Sequence, residues 1–182
     1  MSRSRRGLMY ILEWWLTLPW PPPMRAWWLR RFGASIGRGA VIHRCHFMNL
    51  EIAGFSGFTV GADAHVGPGC LFDLAAPIRI GARAALSPRV MVLTHADPGE
   101  SALQQRFPRQ EAPTNIADDA WLGAGSTVLH GVSIGPSAVV GAASLVREDV
   151  RAGAVVAGVP AKEMDPGSKD PDAAGGRAKV GS

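Results

Sequence analysis

The chain has 182 residues, enough for one domain with a core of its own. Hydrophobic residues make up 47% and charged residues 19%, a balance that excludes a chain too polar to fold. The net charge is +4; basic residues cluster at the front (Arg3, Arg5, Arg6, Arg25, Arg30 and Arg31) and in the tail (Lys169, Arg177 and Lys179) while the middle is nearly balanced, which leaves no basic stripe of the kind a nucleic-acid surface needs.

The front segment, residues 8–32, reads LMYILEWWLTLPWPPPMRAWWLRRF. Its apolar run from Leu8 to Trp20 falls short of the roughly 20 residues that span a bilayer. Arg3, Arg5 and Arg6 precede it as in a signal peptide, but Glu13 interrupts the run and no small-residue cleavage site follows, so no secretory signal is expected. Pro21–Pro23 break the run. Residues 24–32 predict a short helix in which Trp27, Trp28 and Leu29 are flanked by Arg25, Arg30 and Arg31. That mixture suits packing on the next domain, and equally a peripheral contact with a membrane interface. The two cysteines, Cys45 and Cys70, form neither a disulfide framework nor a CxxC pair, which fits a reducing, cytoplasmic setting.

From Ile36 a period of six begins. IGRGAV and IHRCHF start at Ile36, VGADAH and VGPGCL at Val60, IGARAA and LSPRVM at Ile80, and Val92 opens the next unit. From Ile116 the sixes run on as IADDAW, LGAGST, VLHGVS, IGPSAV, VGAASL, VREDVR and AGAVVA. Position one is a large aliphatic in nearly all of them. Position two is mostly small (Ala117, Gly123, Gly135, Gly141, Gly153), and position five is small or β-branched. Six fits neither a helix at 3.6 nor a lone strand at 2. It fits a triangular coil whose sides are one hexad each, with the position-one residue inward and the small residue at the corner. One coil cannot bury its own inner face, so stability must come from stacking.

The register breaks between Thr94 and Pro113. The excursion HADPGESALQQRFPRQEA is polar, and an irregular stretch of this length in a compact repeat usually carries function. It opens on His95, directly after a rung. Histidine is the side chain whose ordinary pKa suits it to take a proton near neutrality. The other histidines are weaker candidates: His43 and His46 in an early hexad, His65 at an outward position, His130 at a corner.

Four features together resemble the hexapeptide-repeat acyltransferase family, over roughly residues 36–162: the hexads, the loop-opening histidine in SPRVMVLTHADP, the Trp121-Leu122-Gly123-Ala124 segment, and the GVPAK ending at 158–162. The resemblance implies an all-β, left-handed parallel β-helix of hexapeptide repeats behind a short N-terminal helical segment. The left hand comes from the resemblance alone and departs from the usual right-handed crossover. It also implies acetyl-CoA as co-substrate, no metal, a homotrimer whose subunits share active sites, and a saccharide hydroxyl as acceptor in exopolysaccharide or cell-surface glycan synthesis. The front segment is similar to that of the colanic-acid group of acetyltransferases.

Residue by residue, His95 matches the family's catalytic base, and the backbone N–H of Ala124 matches the donor at the thioester. Trp121, Gly123 and Ala142 match coenzyme-lining positions, and Lys162 matches a basic residue at the coenzyme phosphates. Where the family often has Thr-Lys, this chain has Arg147 and Glu148; a carboxylate cannot donate to a phosphate, so Arg147 is expected to take that contact over. Asp73, on the coil before His95, and Asp97, at the loop's start, are candidates for holding the acceptor or the histidine. A zinc enzyme on this fold would need three metal histidines, and only His95 and His130 lie late in the repeat. Two other readings remain open: a non-catalytic β-helix scaffold, and an N-acyltransferase acting on an amino sugar.

The expected organisation is a helical front segment over 1–35, the β-helix over 36–164 with its excursion at 94–113, and a disordered tail over 165–182, where apolar residues nearly vanish.

Overall fold

The computed structural model describes residues 20–164 together with Trp15 and Leu18. Most of the apolar run at 8–20 and the whole tail at 165–182 lie outside the described residues.

The hexads form a three-sided parallel coil. Face one stacks Ser35–Ile36, Phe58–Val60, Ile78–Ile80, Thr114–Ile116 and Ser133–Ile134. Face two stacks Val41–Ile42, His65–Val66, Ala85–Leu86, Trp121–Leu122, Val139–Val140 and Val155–Gly158, with Ala161–Glu163 folded back antiparallel on the last. Face three stacks His46–Met48, Leu71–Asp73, Met91–Val92, Thr127–Val128 and Leu145–Val146.

Each side turns two residues inward. The position-one column of face two (Ile42, Val66, Leu86, Leu122, Val140, Val156) is buried throughout, as is the column of small residues two places earlier (Ala64, Ala84, Ala120, Ala138, Ala154). A large residue opposite a small one at every corner fills a triangular section without voids. The position-two glycines are dictated by the stacking: a Cβ on Gly61 would lie 2.4 Å from the Ala82 nitrogen of the next coil.

Coil length varies, and the additions place the functional region. A plain coil takes eighteen residues, as from Ile116 to Ile134. From Ile80 to Ile116 the chain takes thirty-six, the extra length being the excursion after His95. That excursion has a folded neck: His95–Ala96 pairs antiparallel with Gln110–Glu111, and the Ala112 N–H donates to the Thr94 carbonyl at 2.9 Å. The hexad pattern is corrected at the far end. Val150, not Ala152, stacks on Ile134, and Val156 stacks on Val140, each sixteen residues on. The seven sixes therefore stay in phase only through Val146, and the last coil is two residues short.

Helix α1 (Pro22–Arg31) closes the other end. The prolines start it rather than merely ending the run before it. Pro21 is the N-cap and prolines fill the first helical positions, where a missing N–H costs nothing. Its buried face presents Arg25, Ala26 and Leu29 to the first coil. Arg30 donates to the carbonyls of Ile36 and Gly37 at 2.9 and 2.8 Å. Aromatic rings continue inward from it: Trp28 stacks on Phe32 (5.6 Å), and Phe55, Phe47 and Phe72 follow.

Candidate active site

Asp73 and His95 come together where face three ends and the excursion leaves. Asp73 is fully buried, and its carboxylate is saturated with donors. Oδ2 accepts from the backbone N–H groups of Thr94 (2.9 Å) and His95 (3.0 Å) and lies 2.5 Å from His95 Nδ1. Oδ1 accepts from Asn49 Nδ2 at 2.5 Å and from the Ala75 N–H at 3.2 Å. Burial alone would raise this carboxyl's pKa. The hydrogen bonds from His95, Asn49, Thr94 and Ala75 outweigh burial and hold it below the usual aspartate value, so the group is an anion.

That anion fixes the imidazole. An Nδ1–H donating to Asp73 leaves Nε2 as the nitrogen with a free lone pair, the arrangement of a base oriented from behind. The His95 side chain is 23% exposed, so the ring is gripped on one side and open on the other. Of the two roles expected for Asp73, holding the acceptor or holding the histidine, a buried carboxylate turned to His95 fits the second. Asp97 lies at the loop's start, where it accepts from the Gly99 N–H (2.7 Å) and from Arg109 Nη1 (2.9 Å) and so shapes the loop beside His95.

Sequence reasoning missed Asn49 and Thr94. Asn49 sits at φ 60°, a left-handed conformation that asparagine tolerates, and its amide reaches Asp73 from an earlier coil. Thr94 is buried; its hydroxyl donates to the Asp73 carbonyl at 2.7 Å and accepts from the Ala76 N–H at 2.9 Å. A threonine beside the loop histidine was the only signal for either.

The residues expected to line a coenzyme lie on the later coils. Gly123 is buried at its corner, with Ala124 half-buried beside it and Ala142 exposed on the next coil. Among the described residues nothing accepts from the Ala124 N–H, while its carbonyl accepts from Ala143 at 2.9 Å. A small, tightly turned corner with an outward amide fits a pantetheine arm and an acyl carbonyl. Trp121 is 54% exposed on face two, its indole N–H donating to Ser87 Oγ at 3.2 Å.

Arg147 and Lys162 line one cavity of about 410 Å³ at the short last coil, with Glu148, Asp149, Arg151 and Glu163 also on its walls. Arg151 is held by Glu163, and Arg147 lies 3.5 Å from Glu148. Lys162 is the lysine there with no acidic partner among the described residues, so it, more than Arg147, is the cation available to a phosphate.

The remaining histidines make no metal centre. The rings of His43 and His65 stand 5.2 Å apart, and no cluster of three or more metal-ligating side chains occurs among the described residues.

No family model matches the chain. Among curated proteins it is 33% identical over 113 residues to a Schizosaccharomyces pombe protein, an acetyltransferase by name; the match covers 59% of this chain and 55% of that protein. It is 45% identical over 65 residues to the 2,3,4,5-tetrahydropyridine-2,6-dicarboxylate N-acetyltransferase of Staphylococcus aureus, covering 36% of this chain and 27% of that one. The chain thus spans about half the first relative and about a quarter of the second.

Among solved structures, a hexapeptide-repeat-containing acetyltransferase from Vibrio cholerae superposes with a TM-score of 0.72 at 23% identity, over 89% of this chain and 90% of that one. The same enzyme has been solved with acetyl-CoA bound (TM-score 0.65, 24% identity, 90% and 85% covered). A maltose O-acetyltransferase from Clostridium difficile 630 follows (TM-score 0.60, 23% identity, 88% and 85% covered). The architecture is therefore the left-handed parallel β-helix of these proteins; the hexads predict the three-sided coil and the family resemblance its hand.

Proposed function

We propose that this chain, whose fold is that of the hexapeptide-repeat acetyltransferases, moves an acetyl group from acetyl-CoA to a saccharide hydroxyl in glycan synthesis, with His95 as general base. The observation that carries the reading is the buried Asp73 carboxylate 2.5 Å behind His95 Nδ1, at the mouth of the only long excursion in the described coil. A histidine oriented in this way has Nε2 free to take the acceptor's hydroxyl proton. The acceptor oxygen then forms its bond to the acyl carbon as the carbon–sulfur bond breaks, and the same proton passes from His95 to the departing sulfur. Acetyl-CoA supplies an activated acyl group with a good leaving thiol, so the protein need form no covalent bond of its own. The Ala124 N–H is a rigid donor for the negative charge that develops on the acyl oxygen. Lys162 is the cation placed for the coenzyme phosphates, with Arg147 in support.

A homotrimer is part of the proposal. It is supported by apolar side chains left facing outward on face two, Trp121 and Val155 among them. A cytoplasmic location is supported by Cys45 and Cys70, both buried as free thiols. Burial pushes both thiols up, Cys70 to about 11, so neither ionises readily. The match to an N-acetyltransferase favours a second reading, in which an amine replaces the hydroxyl as acceptor.

Acetyl-CoA titrated into the full-length protein by calorimetry is expected to bind at one site per chain, on a particle whose mass by light scattering is that of three chains. His95→Ala is expected to bind it equally and to lower acetyl transfer to saccharides by about 10²–10⁴-fold. Turnover that survives the substitution removes His95 as the base. Absence of binding in both proteins leaves a non-catalytic β-helix. Transfer to amino sugars but not to their hydroxy counterparts selects the second reading.

A further inference from the structure

The coil is lengthened a second time, earlier and by less. From Ile36 to Val60 the chain takes twenty-four residues where a plain coil takes eighteen. The extra length follows Met48, at the end of face three, and folds as a short helix (Leu50–Ala53) and a 3₁₀ turn (Gly54–Gly57). This insertion leaves the coil at the same corner as the excursion after His95, two coils earlier. Its first residue is Asn49. An asparagine ahead of a helix ordinarily turns its side-chain oxygen back onto the first N–H groups of that helix. Asn49 holds the N-cap position at φ 60° and ψ 28°, yet its side chain makes no cap bond.

The amide reaches across the stack instead, to the next coil, where Nδ2 donates to Asp73 Oδ1 at 2.5 Å. An ionised carboxylate only accepts, so the amide must present its nitrogen. The backbone on either side fixes the aim. Met48 pairs in register with Asp73, and Leu50 is wholly buried. Phe55, in the 3₁₀ turn, packs on the rings of Phe47 and Phe32 with centroids 5.0 and 6.3 Å away. Asp73 divides its donors between its two oxygens. Oδ2 takes those of Thr94 and His95, and Oδ1 takes Asn49 and, at 3.2 Å, the Ala75 N–H. Without Asn49 only the longer bond holds Oδ1. The carboxylate can then turn about its soft Cβ–Cγ torsion and carry Oδ2 off the line to His95 Nδ1.

We infer that Asn49 is a positioning residue for the base: it locks the Asp73 carboxylate from behind, and Asp73 in turn holds the His95 imidazole with Nε2 toward the acceptor. The inference rests on the proposed acetyl transfer and adds a third member to its base, carried by the early insertion. The same hydrogen bond helps to keep Asp73 an anion, which is the form that orients the ring. A residue present for the turn alone needs only to tolerate a left-handed conformation, which glycine and aspartate also do. A residue present for Asp73 needs a side-chain N–H donor, which neither of those supplies.

That difference sets the test, in the full-length protein. Acetyl transfer to 4-nitrophenyl galactoside, and to water where the sugar is not used, is followed by release of coenzyme A thiol. Asn49→Gly and Asn49→Asp are expected to bind coenzyme A as the parent does, by calorimetry. In both, kcat is expected to fall about tenfold with the acceptor KM unchanged, the size of loss seen when an outer hydrogen-bond partner of a metal-bound histidine is removed. In Asn49→Asp two carboxyls face each other and share a proton as pH falls, which restores a donor to Asp73. The kcat of Asn49→Asp relative to Asn49→Gly is therefore expected to rise as pH is lowered from neutrality. Added to Asp73→Asn, Asn49→Gly is expected to cost nothing more, because its effect passes through the carboxylate. The ring-nitrogen NMR spectrum of His95, assigned against His95→Ala, is expected to show one tautomer in the parent, protonated at Nδ1, and a mixture in Asn49→Gly. Parent-like kcat in both Asn49 variants, or a loss that adds in full to that of Asp73→Asn, overturns the positioning role. A raised acceptor KM at unchanged kcat also overturns it, and puts Asn49 on the acceptor instead. No His95-dependent release in the parent overturns the transfer reading itself. The tautomer then decides for Asn49 alone, and a spectrum that Asn49→Gly leaves unchanged removes its role as well.

Discussion

Burying an aspartate is costly unless every lone pair is answered, and Asp73 meets that condition through four residues of three different coils or loops. The cost is tolerable because the carboxylate also organises: it fixes the backbone at Thr94 and His95 and the imidazole in one arrangement. In Asp73→Asn the amide can accept at one position only, and the other turns a donor toward N–H donors. The expected outcome is a lower kcat for acetyl transfer with an unchanged KM for acetyl-CoA. A loss of about 1.5–3 kcal/mol of stability is expected with it, since hydrogen bonds to a charged group are lost. The pH dependence has a definite sign. The native carboxyl is held below the unfolded value of about 3.9, so its contribution is complete above that pH and disappears as pH falls through the lower native value. Chemical denaturation of the two proteins should therefore differ most near neutrality and converge in strong acid. A gap that widened on acidification would refute this account. An equal fall in kcat with a raised KM for acetyl-CoA would mean that Asp73 serves general packing and not His95. His95 was legible in the sequence because it ends a rung and opens the long polar stretch that breaks the hexads between Thr94 and Pro113. Asp73 was legible as a position with two possible contacts, the acceptor or the histidine, and only its burial and its turn toward His95 choose between them. Asn49 was not legible, since its reach to Asp73 depends on a single left-handed residue.

A hexad is too short to fold alone, and its corners decide whether one coil can lie on the next. Gly123 and Gly125, two residues apart at one corner, separate the two reasons a corner needs glycine. A Cβ on Gly123 would lie 2.5 Å from the Ala142 nitrogen and 2.8 Å from its Cα, both backbone atoms that cannot yield without opening the stack. Gly125 has open space around it, and only its φ of +70° opposes a side chain. Gly123→Ala is expected to cost about 1–3 kcal/mol, as overpacking does, and to weaken coenzyme binding because Ala124 must shift with it. Gly125→Ala should cost about 1 kcal/mol, the left-handed strain being partly offset by a less flexible unfolded chain, and leave coenzyme affinity unchanged. Urea denaturation and calorimetry on the two variants check both statements; equal losses would mean that backbone contact does not set the corner. The period of six revealed the faces, the inward columns and these corners. It did not reveal the shortened last coil, because Val150 and Ala152 are both small enough for an inward place and only pairing with Ile134 decides between them.

A stacked coil has two open ends, and each must be closed for the molecule to stay in solution as a unit. The far end closes with the hairpin formed by Val155–Gly158 and Ala161–Glu163. The near end closes with α1, and the two faces of that helix have separate tasks. Leu29 is wholly buried against the first coil, whereas Trp27 is 54% exposed and shares a purely apolar hollow with Met24, Trp28, Pro21 and Pro23. An outward tryptophan and methionine near Arg31 are what a peripheral contact with an anionic lipid surface would use, and no helix among the described residues is long and apolar enough to cross a membrane. The two tasks predict opposite results. Leu29→Ala should lower stability by about 2–5 kcal/mol through the cavity it leaves, and what remains folded should sediment with phosphatidylglycerol vesicles as the parent does. Trp27→Ser should change stability by no more than about 0.5 kcal/mol, and it should lose most of the vesicle-bound fraction. Binding that survives Trp27→Ser, or a parent protein that stays in the supernatant, would leave α1 as a cap alone. Its exposed tryptophan would then belong to contacts between copies of the chain, which the mass of the Trp27→Ser variant by light scattering would register.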